Sequence, residues 1–303
     1  MSLNSVNTNV AAQVALASLN HTSAQLEATQ KRISTGYRVA DAADDGGAYA
    51  VAQRVRADVG ALTSVNEQLG NAKGLVSTSL AALGKISDYV NKAQGLLVKI
   101  GDNSATQDQR DQSVLSYKSL VSQVANIVDN SKYNGQTLLG SVAGTPVAGA
   151  SKTVINSESG TTSTISGEDV SGLANTLATL IGSSFARSSG GVDTFGAVTP
   201  PADQAAAATA LSGTSGATAF STVLKGVANQ TNQIGADSNL LDATISFNSS
   251  KIDSLNAGLG ALIDTDLSKE SAKLQSLQIK QQLGTQALSL ANQAPQALLS
   301  LFK

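Results

Sequence analysis

Two stretches of this chain repeat apolar residues at every seventh position, and each repeat lasts too long for an ordinary compact domain. The first track runs Val55, Leu62, Leu69, Val76, Leu83, Val90, Leu97, with Val65, Ala72, Ile86, Ala93 and Ile100 three places after its members. The second runs Phe220, Val227, Ile234, Leu241, Asn248, Leu255, Leu262, with Leu224, Ile245, Ile252 and Leu259 as companions. Seven-residue spacing in two offset tracks lines one seam of a helix. Each stretch of about 45 residues would make a helix roughly 65–70 Å long at about 1.5 Å per residue. Such lengths far exceed the usual three-turn helix. The pattern predicts a mainly α chain, a long antiparallel helical rod or coiled coil with N- and C-terminal helices paired. Asn248 holds an apolar-track position; it either fixes register at some cost in stability or lies partly exposed.

The two ends carry apolar residues on more than one side. In residues 1–40, Leu19, Leu26, Ile33 and Ala40 fall seven apart, and Leu3, Val10, Ala17 and Ala24 form another such line, with Val6, Val14 and Leu16 off the first. From Leu267 onward, Leu277, Gly284, Leu288 and Ala291 share one side of a helix, while Ile279, Leu283 and Leu290 lie nearly opposite. A helix apolar on two sides needs more than one neighbour, which a monomer's own core explains poorly. Pro295 is expected to end that helix ahead of Leu298, Leu299, Leu301 and Phe302.

Between the ends, Ser34 to Arg38 interrupts the first helix, and Asp41, Asp44 and Asp45 suit the start of the next, where the helix dipole favours negative charge. Their spacing does not match a calcium loop. Gly60, Gly70, Gly74, Gly84 and Gly95 in the first long helix each cost about 1 kcal/mol relative to alanine, which predicts close packing of neighbouring helices there. Val114, Tyr117, Val121, Val124 and Val128 predict a third helix to about Asp129, closed by an Asn134-Gly135 turn. Residues 141–216 turn to Gly, Ser, Thr and Ala, predicting a small irregular or β-containing module. Lys152–Asn156 and Thr161–Ile165 would pair around Ser159-Gly160, and Leu173, Leu177, Leu180 and Ile181 would form a short helix.

Composition narrows function. Charged residues are only 14% of the chain and the net charge is −2, so nothing points to nucleic acid as a partner. A surface of uncharged polar residues does not strongly repel its own copies. No apolar run reaches a membrane span, so no membrane insertion is expected, and Met1-Ser2-Leu3-Asn4 has neither the basic nor the apolar part of a cleavable signal peptide. Cysteine is absent and His21 is the single histidine. Thiolate metal sites, a paired-histidine zinc helix and a serine triad are therefore excluded, and no phosphate loop of Gly-x4-Gly-Lys-Ser/Thr form occurs. Neither an enzyme nor a cofactor site is expected.

Several motifs resemble bacterial flagellin. They are Leu3 to Asn9; Ile33 to Val39 followed by Ala40 to Asp45; Lys132-Tyr133-Asn134-Gly135 with Leu138-Leu139; Leu267 to Lys280 with Gln282 to Leu288; and Ala291 to Gln296 with the Leu-Ser-Leu-Phe ending. They cover about 1–140 and 217–303. The resemblance implies an inner coiled-coil domain of 1–40 with 264–303 lining a filament core, a helical rod of 41–140 with 217–263, and a variable surface module at 141–216. It implies self-polymerisation for motility, unfolded export by the flagellar type III apparatus to the cell exterior, a secretion chaperone at the C-terminus, and hook-associated and cap proteins as partners. The terminal residues Leu3, Val6, Val10, Leu19, Leu26, Ile33, Leu277, Ile279, Leu283, Leu288, Leu290, Leu298, Leu301 and Phe302 would carry assembly, and both termini would be disordered until assembly. In flagellins sensed by the vertebrate Toll-like receptor the first long helix carries Gln-Arg-x-Arg-Glu-Leu. The matching positions here, Asn91, Lys92, Gln94 and Gly95 among them, lack the arginines and the glutamate, which implies weak activation or none. A hook–filament junction protein, similar at both ends, and a secreted coiled-coil adhesin or translocator remain alternatives.

Overall fold

The computed structural model describes residues 9–197, 202–213 and 219–301, with side chains as far as Gln293. Leu3, Val6 and Phe302 lie outside these residues, as do Pro200 and Pro201. The chain divides into two compact units, residues 1–60 with 253–303 and residues 61–252. Helices α2 (Gly46–Gly101) and α6 (Phe220–Ile263) each contribute to both. At 56 residues, α2 extends roughly 84 Å at about 1.5 Å per residue.

In the first unit, α1 (Val10–Thr35) pairs with α7 (Leu267–Leu301). Helix α1 stops at Gly36, whose φ of 74° is the left-handed conformation that closes helices and suits a residue without Cβ. The segment after it is stitched to the α6–α7 junction: Thr265 N donates to Gly36 O, Arg38 N donates to Ile263 O, and Tyr37 bridges to Asp264. Below it, Val39, Ala52 and Ile263 form a small apolar cluster. The acids behave as helix-start charges. The Asp45 carboxylate accepts from Ala48 N at 3.0 Å, and Asp41 and Asp44 both receive the Lys31 ammonium. Helix α7 continues through Pro295 to Leu301 rather than ending there. A proline removes one backbone donor, and the rest of the ladder persists.

In the second unit, the heptad tracks of α2 and α6 face one shared core. Leu69, Val76, Leu83, Val90 and Leu97 pack with Val227, Ile234 and Leu241, and with Tyr117, Val121, Val124 and Val128 of α3 (Gln107–Asn130). Helix α3 opens on a capping box between Thr106 and Gln109. The expected hairpin forms from β1 (Lys152–Ile155) and β2 (Thr162–Ile165), antiparallel with Lys152 opposite Ile165. Helix α6 holds this segment by side chains along its length. Gln230 Nε2 donates to Asp169 O at 2.9 Å, Asp237 Oδ2 accepts from Ser166 N at 2.8 Å, and Lys251 pairs with Glu158. Asn248, 1% exposed, donates to Asn156 O at 3.1 Å. It therefore fastens the hairpin to the helix from within the buried track.

The middle segment adds α4 (Leu173–Thr179), as expected, and then β3 (Phe185–Arg187), β4 (Asp193–Phe195) and α5 (Ala202–Ser212), which the residue pattern did not announce. Its Val142, Ile165, Leu177, Ile181, Phe185 and Ala207 belong to the same core as α2, α3 and α6. A buried arginine ties the two parts together. Arg187, with a side chain 3% exposed, meets Asp129 of α3 at 3.1 Å and Asp193 at 2.5 Å, and donates to Asn126 Oδ1 and Ser122 O. Arg187 holds the Asp193 carboxyl below the usual carboxylate range. Burial pushes Asp129 upward, but the Val142 N–H, Arg187, Ser141 and the Ala143 N–H outweigh it and hold that carboxyl low as well.

The glycines of α2 do not mark close packing as expected. Around Gly60, Gly70, Gly84 and Gly95 a Cβ would meet nothing within 4 Å among the described residues, whereas at Gly74 it would collide, 2.6 Å from the Tyr133 ring. The first four sit on the exposed side of the helix, where glycine lowers helix propensity without serving an approach.

Candidate assembly surface

Helix α1 presents Ala12, Ala15, Leu19, Thr22, Leu26, Thr29 and Ile33 on its shielded side, at alternating steps of three and four. Helix α7 answers with Glu270, Leu274, Leu277, Gln281, Gly284, Leu288 and Ala291. This alternation keeps both stripes on one seam. Gly284 permits the tightest approach, since a Cβ there would stand 3.2 Å from Leu19 Cδ1. Toward the junction the seam turns polar. Arg32 Nη1 lies 3.3 Å from Glu270 Oε1, and Glu270 is 9% exposed. Thr29 Oγ1, Arg32 Nε and Glu270 Oε2 are buried there without a hydrogen-bond partner among the described residues. At the far end, Asn9 caps α1 by accepting from Ala12 N at 3.0 Å, and its Nδ2 donates to Ala291 O at 2.8 Å. The sequence reading missed Asn9, Thr29, Arg32 and Glu270. An N-cap residue just ahead of the apolar-periodic run was a signal for the first, whereas the polar seam gave none.

The other sides of the pair remain open. Val10, Val14 and Leu16 of α1 are exposed, and on α7 Ile279 and Leu283 are each 57% exposed and Leu290 70%. The expected assembly residues thus fall into two groups. Leu19, Leu26, Ile33, Leu277 and Leu288 are shielded within the pair, while Val10, Ile279, Leu283 and Leu290 face outward. Leu298 and Leu301 lie on the α7 backbone beyond the described side chains. Of the expected rod-packing residues, Leu62, Leu69, Val76, Leu83, Val90, Leu97, Val227, Ile234 and Leu241 are buried, and Val55, Leu255 and Leu262 are half-buried. Asn91, Lys92, Gln94 and Gly95 are all exposed on α2, with Lys92 Nζ 5.3 Å from the Tyr89 ring centre.

Solvent-facing leucines and isoleucine in a row on a helix already paired through its other side suit burial against further copies. Comparison with known proteins bears on this. The flagellin FljM of Caulobacter vibrioides is 35% identical over 306 residues, covering all of both chains. This chain belongs to the bacterial flagellin family. Residues 6–143 of this flagellin match the family's N-terminal helical region, and residues 218–302 match its C-terminal helical region. A flagellin of Brucella melitensis is 32% identical over 299 residues, or 99% of each chain. Among solved structures, Bacillus cereus flagellin aligns with a TM-score of 0.44 at 21% identity, over 60% of this chain and 88% of that one. The family makes this flagellin a structural subunit of the flagellar filament, which polymerises with its own copies. Among the described residues, no helix is long and apolar enough to cross a membrane.

Proposed function

We propose that this flagellin builds the filament through the outward faces of α1 and α7, with Val10, Ile279, Leu283 and Leu290 among the residues that neighbouring copies cover. The observation that carries the reading is the second apolar side of α7, left open while the first is shielded by α1. On this reading residues 1–40 with 264–303 line the filament core, 41–140 with 217–263 surround them, and 141–216 face outward. The Leu and Val tracks of α2 and α6 hold each subunit's own fold. The filament serves swimming motility outside the cell. The chain reaches that place unfolded through the flagellar type III apparatus, its C-terminus kept from premature assembly by a secretion chaperone, and adds beneath a cap distal to hook-associated proteins.

The energetics support ordering of the termini on assembly. Fixing each residue's backbone costs about 1–2 kcal/mol, and a fully buried Leu or Val returns about 1.5–3. A two-helix pair with one shielded stripe recovers too little alone, and neighbouring copies supply the rest. Seeded polymerisation followed by light scattering and electron microscopy tests the proposal, comparing the full chain with chains lacking 1–40 or 293–303. The full chain should elongate seeds and the truncated chains should not. A full chain that stays monomeric, with protease-resistant termini, would overturn the reading.

A further inference from the structure

We propose that Asn9 is a positioning residue that fastens the start of α1 to the one carbonyl of α7 that Pro295 leaves without a helical partner. In an α-helix the carbonyl of residue 291 accepts from the amide of residue 295. Residue 295 is proline and has no amide hydrogen, yet the helix continues past it. The carbonyl of Ala291 is therefore the acceptor released by the proline, and it is the acceptor that Asn9 Nδ2 reaches at 2.8 Å. The oxygen of the same amide caps α1 at Ala12 N. Asparagine is the residue type this place requires. Serine, threonine and aspartate cap helices as well, but aspartate has no donor at neutral pH and the hydroxyl residues are too short to serve both ends at once.

The result is a two-ended clip. One side chain closes the N-terminus of the first helix and satisfies the interior of the last, 282 residues away in sequence. Neither half is complete alone. Without α7 the Asn9 NH2 has only water, and without Asn9 the Ala291 carbonyl is a half-buried acceptor lacking its helical donor. The clip sits at the opposite end of the pair from the backbone stitch at Tyr37 and Asp264. It holds α1 and α7 in phase where no loop joins them. Proline at 295 thereby makes the pairing of the two termini a condition for a satisfied helix. A subunit whose ends have not met carries an unpaired carbonyl, and one whose ends have met does not.

The test is a double-mutant cycle on the full chain with N9D, P295A and N9D/P295A, read by the critical concentration for seeded elongation, which rests on the filament reading above. N9D keeps the cap and removes the donor, and it should raise the critical concentration about 5–10-fold. In the P295A background residue 295 regains its amide, Ala291 regains its helical partner, and N9D should change the critical concentration by about twofold or less. N9S, a cap whose hydroxyl is too short to reach the Ala291 carbonyl as well, should behave like N9D in both backgrounds. A second reading, independent of elongation, is amide exchange of residues 10–15 and 288–294 in all the chains, measured free and in any filaments formed. Loss of protection at both ends in N9D, restored at residues 288–294 by P295A, is expected. If no chain elongates seeds, the filament reading fails and exchange still decides the clip. Equal penalties for N9D with and without Pro295, or equal exchange in all chains, would overturn it.

Discussion

Replacing Leu283 by asparagine isolates the outward face of α7 from the fold that displays it. Leu283 is 57% exposed, whereas Leu277, on the shielded side, is 3% exposed. Burying a whole leucine side chain is worth about 1.5–3 kcal/mol. Somewhat over half of that, about 1–1.5 kcal/mol, is the share that a neighbouring copy rather than the subunit's own pair supplies by covering Leu283. Asparagine forfeits this gain and adds about 1–1.5 kcal/mol for taking its amide out of water at an interface that offers no partner. The loss of about 2–3 kcal/mol per subunit corresponds to a critical concentration raised about 30–140-fold, at about 1.4 kcal/mol per decade. The assay is the protein remaining in the supernatant after seeded growth and sedimentation. Far-UV circular dichroism of the free chain should not change, because the side chain leaves solvent only on assembly. Leu277→Ala makes the contrasting control. It opens a cavity inside the pair and costs about 2–5 kcal/mol there. If Leu283→Asn elongates seeds at the wild-type critical concentration, the outward stripe is not an assembly surface and the reasoning fails.

Arg187→Ala strands the Asp129 and Asp193 carboxylates and should destabilise the second unit by about 3–5 kcal/mol, lowering the urea midpoint by about 1–2 M at a slope of about 2–3 kcal/mol per M. Both carboxyls are held low in the fold, so the stability they carry is present above the ordinary carboxyl range and lost as pH falls through their lowered values. The gap between wild type and Arg187→Ala should therefore narrow in acid, and a gap constant from pH 7 to pH 3 would contradict the assignment. Leu83→Ala, in the fully buried α2 track, should cost about 2–5 kcal/mol by urea unfolding; a cost below about 1 kcal/mol would place that track outside the core. Purified protein should elicit little response from cells bearing the vertebrate Toll-like receptor, because on the family resemblance exposed Lys92, Gln94 and Gly95 would stand in place of the two arginines and the glutamate. A response as strong as that to an arginine-bearing flagellin would sink this expectation.

What was legible in the sequence followed from repetition. A track such as Leu69, Val76, Leu83, Val90, Leu97 can satisfy itself only along a helix that buries one seam, and all five residues are buried. The opposed stripes of α7 were readable for the same reason, since Leu277 and Leu283 lie six residues apart and hence on different sides. The middle segment hid most of its structure. Helix α5 is largely alanine and has almost no polar–apolar contrast, and β3 and β4 are three residues each, too short to show alternation. Their placement depends on Arg187, whose partners Asn126 and Asp129 are 61 and 58 residues away, and no local pattern announces such a contact. The glycines of α2 mislead because their cost suggests a steric purpose, while four of the five face open space. Pro295 misleads in the opposite sense. A single missing donor suggests a break, but the carbonyl it frees has another donor in Asn9.

The core that residues 142–210 share with α2, α3 and α6 decides where this subunit can accept foreign sequence. Cutting the middle segment out as a block would uncover Tyr117, Val124 and Val128 and leave Asp129 facing no cation. A peptide meant for multivalent display belongs instead at the β3–β4 turn, between Ser189 and Gly191. These residues are exposed, Gly191 already has a φ of 80°, and Val192 beside them is 64% exposed. A graft there leaves Arg187 and Asp193 on either side still joined. The scaffold below would keep its packing, and each added subunit would carry one copy of the guest.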